Sequence, residues 1–241
     1  MPALLAACVL LLPAGVVAKT VTGTSKGDRI NGTAGKDRLS GGRGNDRISG
    51  RGAHDVLIGG RGRDRLKGGG ASDRLNGGRG NDRLDGSSGN DRLRGGPDND
   101  LLFGRAGADR LFGDVGDDRL LGSVGRDLLV GSDGDDTLLG GSAPDRLEAG
   151  KGNDDLDGGA GGDRISGGAG GDHLQGGAGD DRLVGGPGED ELRGGDGNDR
   201  IDARDGSEDL IDCGPGEDTV RLGSSEDSVL DCESAVFPPG S

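Results

Sequence analysis

The chain has 241 residues, of which 57 are glycine, while hydrophobic residues make up 29% and aromatic residues 1%. Each buried aliphatic side chain contributes roughly 1.5–3 kcal/mol and each ordered residue costs roughly 1–2 kcal/mol, so this composition excludes an ordinary globular core. The formal net charge of -15 argues against binding to nucleic acid or to anionic lipid and favours a cation as partner.

Residues 1–18, MPALLAACVLLLPAGVVA, are almost entirely apolar and end in small residues before Lys19. This pattern predicts a secretory signal peptide, and the segment is too short to span a membrane. The sequence LAAC, which ends at Cys8, leaves open a lipid anchor in place of cleavage at Ala18. We therefore expect the mature protein to be secreted or extracellular, with attachment to the cell surface as the alternative.

A nine-residue repeat fills most of the chain. From Ile30 to Ile201, every ninth residue is Leu or Ile, in twenty consecutive positions without an insertion. The residue two positions earlier is aspartate in all twenty units, and the residue seven positions earlier is glycine in nineteen. The unit is GGxGxDxUx, in which U is aliphatic. Such regular repetition predicts stacked repeats in place of a globular domain.

The two halves of the unit predict different local structures. Closely spaced glycines permit the positive φ angles of a tight turn. The x-U-x segment predicts a strand of about three residues, in which only U points inward. One turn and one strand make half a coil, so two units close a coil, and successive coils stack as parallel strands about 4.8 Å apart. The sequence therefore predicts an all-β parallel solenoid.

Stacking brings the aspartates close together. Asp64 and Asp82 are 18 residues apart, which places them about one strand spacing from each other along one edge. Carboxylates at that separation repel unless they take up protons or bind a cation. The glycine turns also leave peptide carbonyls without partners in the strand ladder. A flexible cage of carboxylate and carbonyl oxygens favours Ca²⁺ over Mg²⁺, so the sequence predicts multiple calcium ions.

Over about residues 23–202, the unit resembles the RTX, or hemolysin-type, calcium-binding nonapeptide repeat. This resemblance implies a right-handed parallel β-roll with two repeats per coil. It also implies that each Ca²⁺ lies between two stacked turns, held by the aspartate of each turn and by carbonyls at the glycine positions. Asp82 with the carbonyls of Gly78 and Gly80 would then form half a site, completed from the turn of Asp64 or Asp100.

The ligands that the resemblance implies occupy the same positions in every unit. The expected side-chain ligands are Asp28, Asp37, Asp46, Asp55, Asp64, Asp73, Asp82, Asp91, Asp100, Asp109, Asp118, Asp127, Asp136, Asp145, Asp154, Asp163, Asp172, Asp181, Asp190 and Asp199. The expected carbonyl ligands are Gly42, Gly44, Gly78, Gly80, Gly159, Gly161, Gly168, Gly170, Gly177 and Gly179. Asp55, Asp100 and Asp145 follow turns that depart from the glycine pattern.

Arginine precedes the aliphatic residue in thirteen of the units, among them those with Arg83, Arg92 and Arg110. These side chains point outward in the predicted strands, and two interpretations are open. They could form a basic strip for an anionic polymer. They could also form a charge-paired sheet face next to acids such as Asp85, which would protect the sheet against aggregation. We favour the charge-paired face.

Signals of catalysis are weak. The segment Gly23–Gly27 matches GxSxG but lies in the first repeat turn, without the strand-to-helix context that this motif requires. The two histidines, His54 and His173, lie about thirteen repeats apart, and the sequence contains no phosphate loop, HExxH motif or EF-hand loop. The sequence therefore predicts that the protein is not an enzyme, and a calcium-dependent hydrolase is the disfavoured alternative.

After Ile201 the frame slips by one residue and the unit decays. Cys213 and Cys232 lie about one coil apart, at a separation that suits a disulfide, and an even pair of cysteines is typical of an exported protein. With Val236 and Phe237 nearby, this end is expected to cap the roll. The predicted divisions are a signal peptide at 1–18, a β-roll at 19–202 and a disulfide-bonded cap of degenerate repeats at 203–241.

The sequence thus predicts a secreted, non-enzymatic protein that folds as it binds calcium. The alternative is a structural or adhesive surface protein that uses the calcium-rigidified rod as a spacer. Calcium ions are the expected partners, while nucleic acid and a membrane span are not expected. The sequence identifies no protein or surface partner.

Overall fold

The computed structural model describes residues 18–223 and 227–236. The predicted signal peptide up to residue 17, Cys8 within it, and Phe237 lie outside the described residues. Within the described part no helix has the length and apolarity needed to cross a membrane. Its strands, in chain order, are β1 (Thr20–Thr22), β2 (Arg29–Asn31), β3 (Arg38–Arg43), β4 (Arg47–Arg51), β5 (Val56–Arg61), β6 (Arg65–Gly69), β7 (Arg74–Arg79), β8 (Arg83–Ser88), β9 (Arg92–Pro97), β10 (Leu101–Ala106), β11 (Arg110–Val115), β12 (Arg119–Val124), β13 (Leu128–Asp133), β14 (Thr137–Ser142), β15 (Arg146–Lys151), β16 (Asp155–Ala160), β17 (Arg164–Ala169), β18 (His173–Ala178), β19 (Arg182–Val184), β20 (Glu191–Asp196), β21 (Arg200–Ala203), β22 (Leu210–Asp212), β23 (Thr219–Leu222), β24 (Ser228–Leu230) and β25 (Ser234–Val236).

Among the described residues, the strands form two parallel sheets. The odd-numbered strands form a 13-stranded sheet, here sheet A, and the even-numbered strands form a 12-stranded sheet, here sheet B, each in chain order. Neighbouring strands pair residues 18 positions apart, as Arg47 pairs with Arg65 in sheet B. Each coil therefore holds two units, which confirms the predicted parallel β-solenoid.

The strands are longer than predicted. Most strands of the repeat region have six residues, as in β8 (Arg83–Ser88). Pairing continues past the aliphatic residue into the turn, where Gly60 pairs with Gly78. Gly78 has a φ of +112°, and a Cβ there would clash with the carbonyl oxygen of Gly60. The prediction of three-residue strands was wrong because the left-handed glycines still pair with the coils above and below.

Two positions of each six-residue strand point inward, in contrast to the single position predicted. In β8 these are Leu84 and Gly86, the latter being the first glycine of the next unit. The aliphatic residues stack into one continuous core, and Leu84, Leu102 and Leu120 are fully buried. The inward glycines add no side chain, so space remains beside the core for the aspartates.

The frame slip after Ile201 leaves both sheets unbroken. Between the neighbouring strands β20 and β22, the offset rises to 19 residues as Glu191 pairs with Leu210. It returns to 18 where Leu210 pairs with Ser228. A disulfide joins Cys213 to Cys232, with Cα atoms 5.1 Å apart, and so links the ends of β22 and β24.

Replacing a central core leucine should destabilise the roll. Leu111 is fully buried, so Leu111→Ala should lower the free energy of unfolding by about 2–5 kcal/mol. Val115 lies on the same strand but is 55% exposed, so Val115→Ala should change stability by no more than about 0.5 kcal/mol. Urea denaturation in calcium provides the comparison, and equal midpoints for the two variants would contradict the assigned core.

Removing the disulfide should loosen only the last coils. Closing a loop of 19 residues stabilises by roughly 3 kcal/mol, so the double variant Cys213→Ser/Cys232→Ser should lower local stability at that end by about this amount. Hydrogen exchange should accelerate in β21 to β24 and remain unchanged in β9 to β12. Uniform acceleration along the whole chain would show that the disulfide supports the entire rod.

Candidate metal-binding site

The aspartates two positions before each aliphatic residue line the two edges of the solenoid. We call this set, from Asp28 to Asp227, the aspartate file. From Asp37 to Asp218 its members are between 0 and 4% exposed. From Asp37 onward, one oxygen of each carboxylate accepts a hydrogen bond from the coil before it, as Asp82 Oδ1 accepts the backbone N–H of Asp64 at 2.7 Å. Members 18 residues apart therefore stack directly, because the peptide of one holds the side chain of the next.

The second carboxylate oxygen has no partner along most of the file. Among the described residues, twenty Oδ2 atoms are buried without a hydrogen bond, alternately on the two edges, those of Asp46, Asp55, Asp64, Asp73, Asp82, Asp91, Asp100, Asp109, Asp118, Asp127, Asp136, Asp145, Asp154, Asp163, Asp172, Asp181, Asp190, Asp199, Asp209 and Asp218. The set includes the three aspartates whose turns depart from the glycine pattern, so those departures do not change the side-chain geometry. It also includes Asp209 and Asp218, which continue the pattern beyond the sequence-predicted ligands.

The first glycine of the unit, which is present in nineteen of the twenty units, borders the orphan oxygen. A Cβ at Gly77 would clash with Asp82 Oδ2 and would lie 2.8 Å from the carbonyl oxygen of Gly95. The orphan oxygen and the carbonyl oxygen of the next coil thus border the same small space. The sequence-predicted ligands did not include these first glycines, although their presence in nineteen of twenty units was the available signal.

The glycines predicted as carbonyl ligands lie in the stacked turns. All ten have positive φ angles, from +95° at Gly159 to +146° at Gly161. Gly159 pairs with Gly141 in the previous coil and with Gly177 in the next. These turns lead into the aspartates of the file, so the two kinds of predicted ligand lie at the same edges. The coordination of a metal by these carbonyls stays a prediction.

Burial disfavours ionisation of the aspartates in the file. It raises the pKa of Asp82 from the usual 3.8 to about 7 and that of Asp100 to about 8. The backbone N–H of Asp82 partly offsets the increase at Asp100, while the negative charges of Asp82 and Asp118 add to it. Near neutral pH a file of buried carboxylates therefore needs either protons or a cation.

The turns at both ends of the file close differently. In the first two units threonine replaces the second glycine, and the N–H groups of Thr24 and Thr33 donate to Asp28 Oδ2 and Asp37 Oδ2, each at 2.6 Å. At the other end the Gly223 N–H donates to Asp227 Oδ2 at 3.2 Å. In these three carboxylates Oδ2 has a donor, because a peptide N–H of their own turn supplies it.

The residues present fit a hard cation. The described part of the chain contains no group of three or more His, Cys, Asp or Glu side chains placed to hold a metal. A metal at the file would therefore take most of its ligands from peptide carbonyls and only one or two from carboxylates. That donor set is all oxygen, the turns can vary their geometry, and the orphan Oδ2 atoms lack a positive partner, which together favour Ca²⁺.

The residues considered for catalysis are not assembled into a site. His173 contacts Asp155 at 3.0 Å, and His54 contacts the carbonyl oxygen of Ser72 at 2.8 Å. Ser25 of the GxSxG segment is a hydrogen-bond partner of neither histidine, among the described residues. No arrangement of nucleophile and base is therefore formed by these residues.

Comparison with known proteins gives a match along nearly the whole chain. The family model of the RTX calcium-binding nonapeptide repeat (4 copies) matches overlapping segments, at residues 22–57, 49–84, 85–120, 112–147, 130–165, 139–174, 157–192, 175–207 and 193–229. No curated protein sequence gives a significant match. One similar solved structure is the X-ray crystal structure of a hyperactive, Ca²⁺-dependent, beta-helical antifreeze protein from an Antarctic bacterium. It is 19% identical, with a TM-score of 0.43, and the alignment covers 97% of this chain and 84% of that chain.

At low pH, protons on the buried carboxylates should stabilise the roll in place of a cation. In the coil the carboxyls ionise near pH 4, whereas burial raises the pKa of Asp82 and Asp109 to about 7 and that of Asp100 to about 8. The folded state therefore binds more protons between about pH 4 and pH 8, and stability without metal falls as the pH rises through this range. Far-UV circular dichroism in chelator should show β structure near pH 4 and coil at pH 8.

Light scattering would serve as the control for aggregation in that titration. A chain in chelator that is more ordered at pH 8 than at pH 4 would contradict the cost assigned to the buried charges.

Proposed function

The chain belongs to the RTX calcium-binding nonapeptide-repeat family, and we propose that it is a secreted, non-enzymatic protein whose turns bind calcium ions and fold as they do so. The observation that carries the proposal is the row of twenty buried Oδ2 atoms without a hydrogen-bond partner. An unpaired buried charge is among the most destabilising features that a fold can contain. A cation between stacked turns removes that cost along the entire file.

The ligand assignment follows the geometry of the turns. We assign the side-chain ligands to the file from Asp46 to Asp218 and the remaining ligands to turn carbonyls such as those of Gly78 and Gly80. Twenty orphan oxygens on two edges leave nine spaces between stacked neighbours on each edge, so eighteen ions is the upper limit. Asp28 and Asp37 fall outside this assignment because an N–H of their own turn already donates to the Oδ2 atom of each.

Calcium supplies the folding energy that the core lacks. The aliphatic core is one residue wide on each strand, so the roll depends on the sites as much as on burial. At a Kd of about 10⁻⁴ to 10⁻³ M, which is typical of extracellular modules, a site at ten times Kd adds on the order of 1.4 kcal/mol. The summed binding energy of many such sites shifts the equilibrium from the coil to the folded rod, so that binding and folding occur together.

Secretion places the chain where calcium is abundant, and the apolar segment 1–18 supports that location. The unbroken stack from β1 to β25 also suits the second candidate function, a calcium-rigidified spacer on the cell surface. Fractionation of the native host distinguishes the two, because a spacer or adhesin stays with cells or matrix. An activity screen with and without chelator tests the hydrolase alternative.

Replacing aspartates of the file with asparagine should lower the number of calcium ions that the chain binds. The variant Asp91→Asn/Asp109→Asn/Asp127→Asn alters three stacked members of one edge. We expect about two to four fewer ions per chain and a folding transition at higher calcium, since an amide is a weaker ligand than a carboxylate for Ca²⁺. Equilibrium dialysis gives the stoichiometry, and circular dichroism gives the transition, with magnesium as the control ion.

The matched control is Asp133→Asn/Asp157→Asn/Asp196→Asn, which removes the same charge from acids outside the file. This control should bind as many ions as the parent chain. Equal losses in both triple variants would show that calcium is held by general negative charge, and a coil spectrum of the parent chain in 10 mM calcium would contradict the proposal itself.

A further inference from the structure

An arginine ladder runs along the first four coils, with one row on sheet B and a second at the ends of sheet A strands. Arg29, Arg47, Arg65 and Arg83 lie on successive strands of sheet B, in register and exposed. A second row consists of Arg43, Arg61 and Arg79, the last residues of β3, β5 and β7 in sheet A, which also pair in register. We call these seven residues the arginine ladder. Successive members of each row are about 4.8 Å apart, the spacing of adjacent strands.

Among the described residues, no acid forms an ion pair with a member of the ladder. Of the thirteen arginines that precede an aliphatic residue, only Arg146 forms an ion pair among the described residues, with Glu148. The expectation of a charge-paired face was therefore wrong for this surface. Like charges directly opposite each other on adjacent strands are destabilising, so an anion bound along an in-register row of unpaired arginines would stabilise it.

Charge is divided unevenly along the rod. Residues 19–112 contain 19 Lys and Arg residues, but outside the aspartate file they contain only two acids, Asp85 and Asp98. Residues 113–241 contain 10 basic residues and 19 acids outside the file. Because the file is buried, the net charge of -15 does not describe the surface. The first half of the rod is a basic surface, and calcium in the file would make it more so.

The same surface offers no open aromatic ring for a base to stack on. The Arg83 guanidinium lies over the ring of Phe103 at 4.2 Å, and the Arg92 guanidinium lies over the ring of Phe112 at 4.8 Å. Proteins that bind single-stranded nucleic acid combine positive charge with exposed stacking platforms. The described residues provide the charge alone, which favours a polyanion without bases.

We propose that the arginine ladder binds an extended acidic polysaccharide that lies along the rod axis. The strand spacing of about 4.8 Å is close to the length of one sugar residue, so each coil can present a guanidinium to the carboxylate or sulfate of one sugar. Guanidinium groups bind such oxyanions through paired hydrogen bonds. This inference rests on the proposed function, because the rows are in register only when the coils are stacked.

The test compares two triple variants of the calcium-loaded protein. Arg47→Gln/Arg65→Gln/Arg83→Gln removes three charges from the ladder. The control, Arg164→Gln/Arg182→Gln/Arg200→Gln, removes three charges from the same strand position in the acidic half, where the arginines are also in register. The probe is a fluorescently labelled heparin octasaccharide, with anisotropy measured at several salt concentrations. Circular dichroism of every sample establishes that the roll is folded.

We expect the ladder variant to bind heparin about tenfold more weakly, with a smaller salt dependence, and the control to match the parent chain. A folded parent that does not bind, or equal losses in both variants, would overturn the ladder assignment while leaving calcium binding intact. A single-stranded DNA oligomer of equal charge that binds as tightly as heparin would overturn the choice of a polysaccharide. A chain that remains coil in calcium would overturn the proposed function and this inference together.

Discussion

From Asp46 to Asp218, each aspartate of the file bonds to the preceding coil with one carboxylate oxygen and leaves the other without a hydrogen bond. Asp64 N–H to Asp82 Oδ1 is one such bond, and Asp82 Oδ2 is one of twenty orphan oxygens. The aspartate therefore joins the coils and also introduces a buried charge that the coils cannot satisfy. A cation resolves this conflict without loss of the hydrogen bond, as protonation of the second oxygen does at lower pH.

The same constraint explains why the orphan oxygens stop short of both ends of the file. At Asp28 and Asp37, a threonine occupies the place of the second glycine, and its N–H turns back to the carboxylate. At Asp227 the Gly223 N–H does the same. In the terminal turns a local hydrogen bond thus satisfies Oδ2, whereas in the interior turns Oδ2 has no donor. We infer that the ends of the roll are built to hold their shape without metal, while the interior depends on it.

Much of this arrangement was predictable from the period alone. A fixed step of nine residues dictates the coil size, the parallel register, the buried leucines and the alignment of the aspartates. Periodicity does not reveal which backbone group contacts which carboxylate oxygen. The role of Gly77 and the hydrogen bonds from the N–H groups of Thr24 and Thr33 could therefore be seen only in the structure. Strand length was underestimated because turn glycines with positive φ still pair between coils, as Gly60 and Gly78 do.

Of the features described, the surface charge was the one that composition predicted least well. A total of 44 acids against 29 bases suggested an acidic molecule, yet twenty-one members of the file are buried and the arginines of the ladder lie in exposed rows without ion pairs. Composition sums over buried and exposed groups alike, whereas a partner meets only the exposed ones.

The most direct measurement of the central claim is the anomalous scattering of crystals grown in calcium. The account predicts a row of peaks along each edge between stacked turns, about 2.3–2.6 Å from Oδ2 atoms of the file between Asp46 and Asp218. No peak is expected at the turns of Asp28 and Asp37. An ordered roll with no peaks along the file, or with peaks only at exposed acids such as Asp133, would contradict the assignment of calcium to the buried carboxylates.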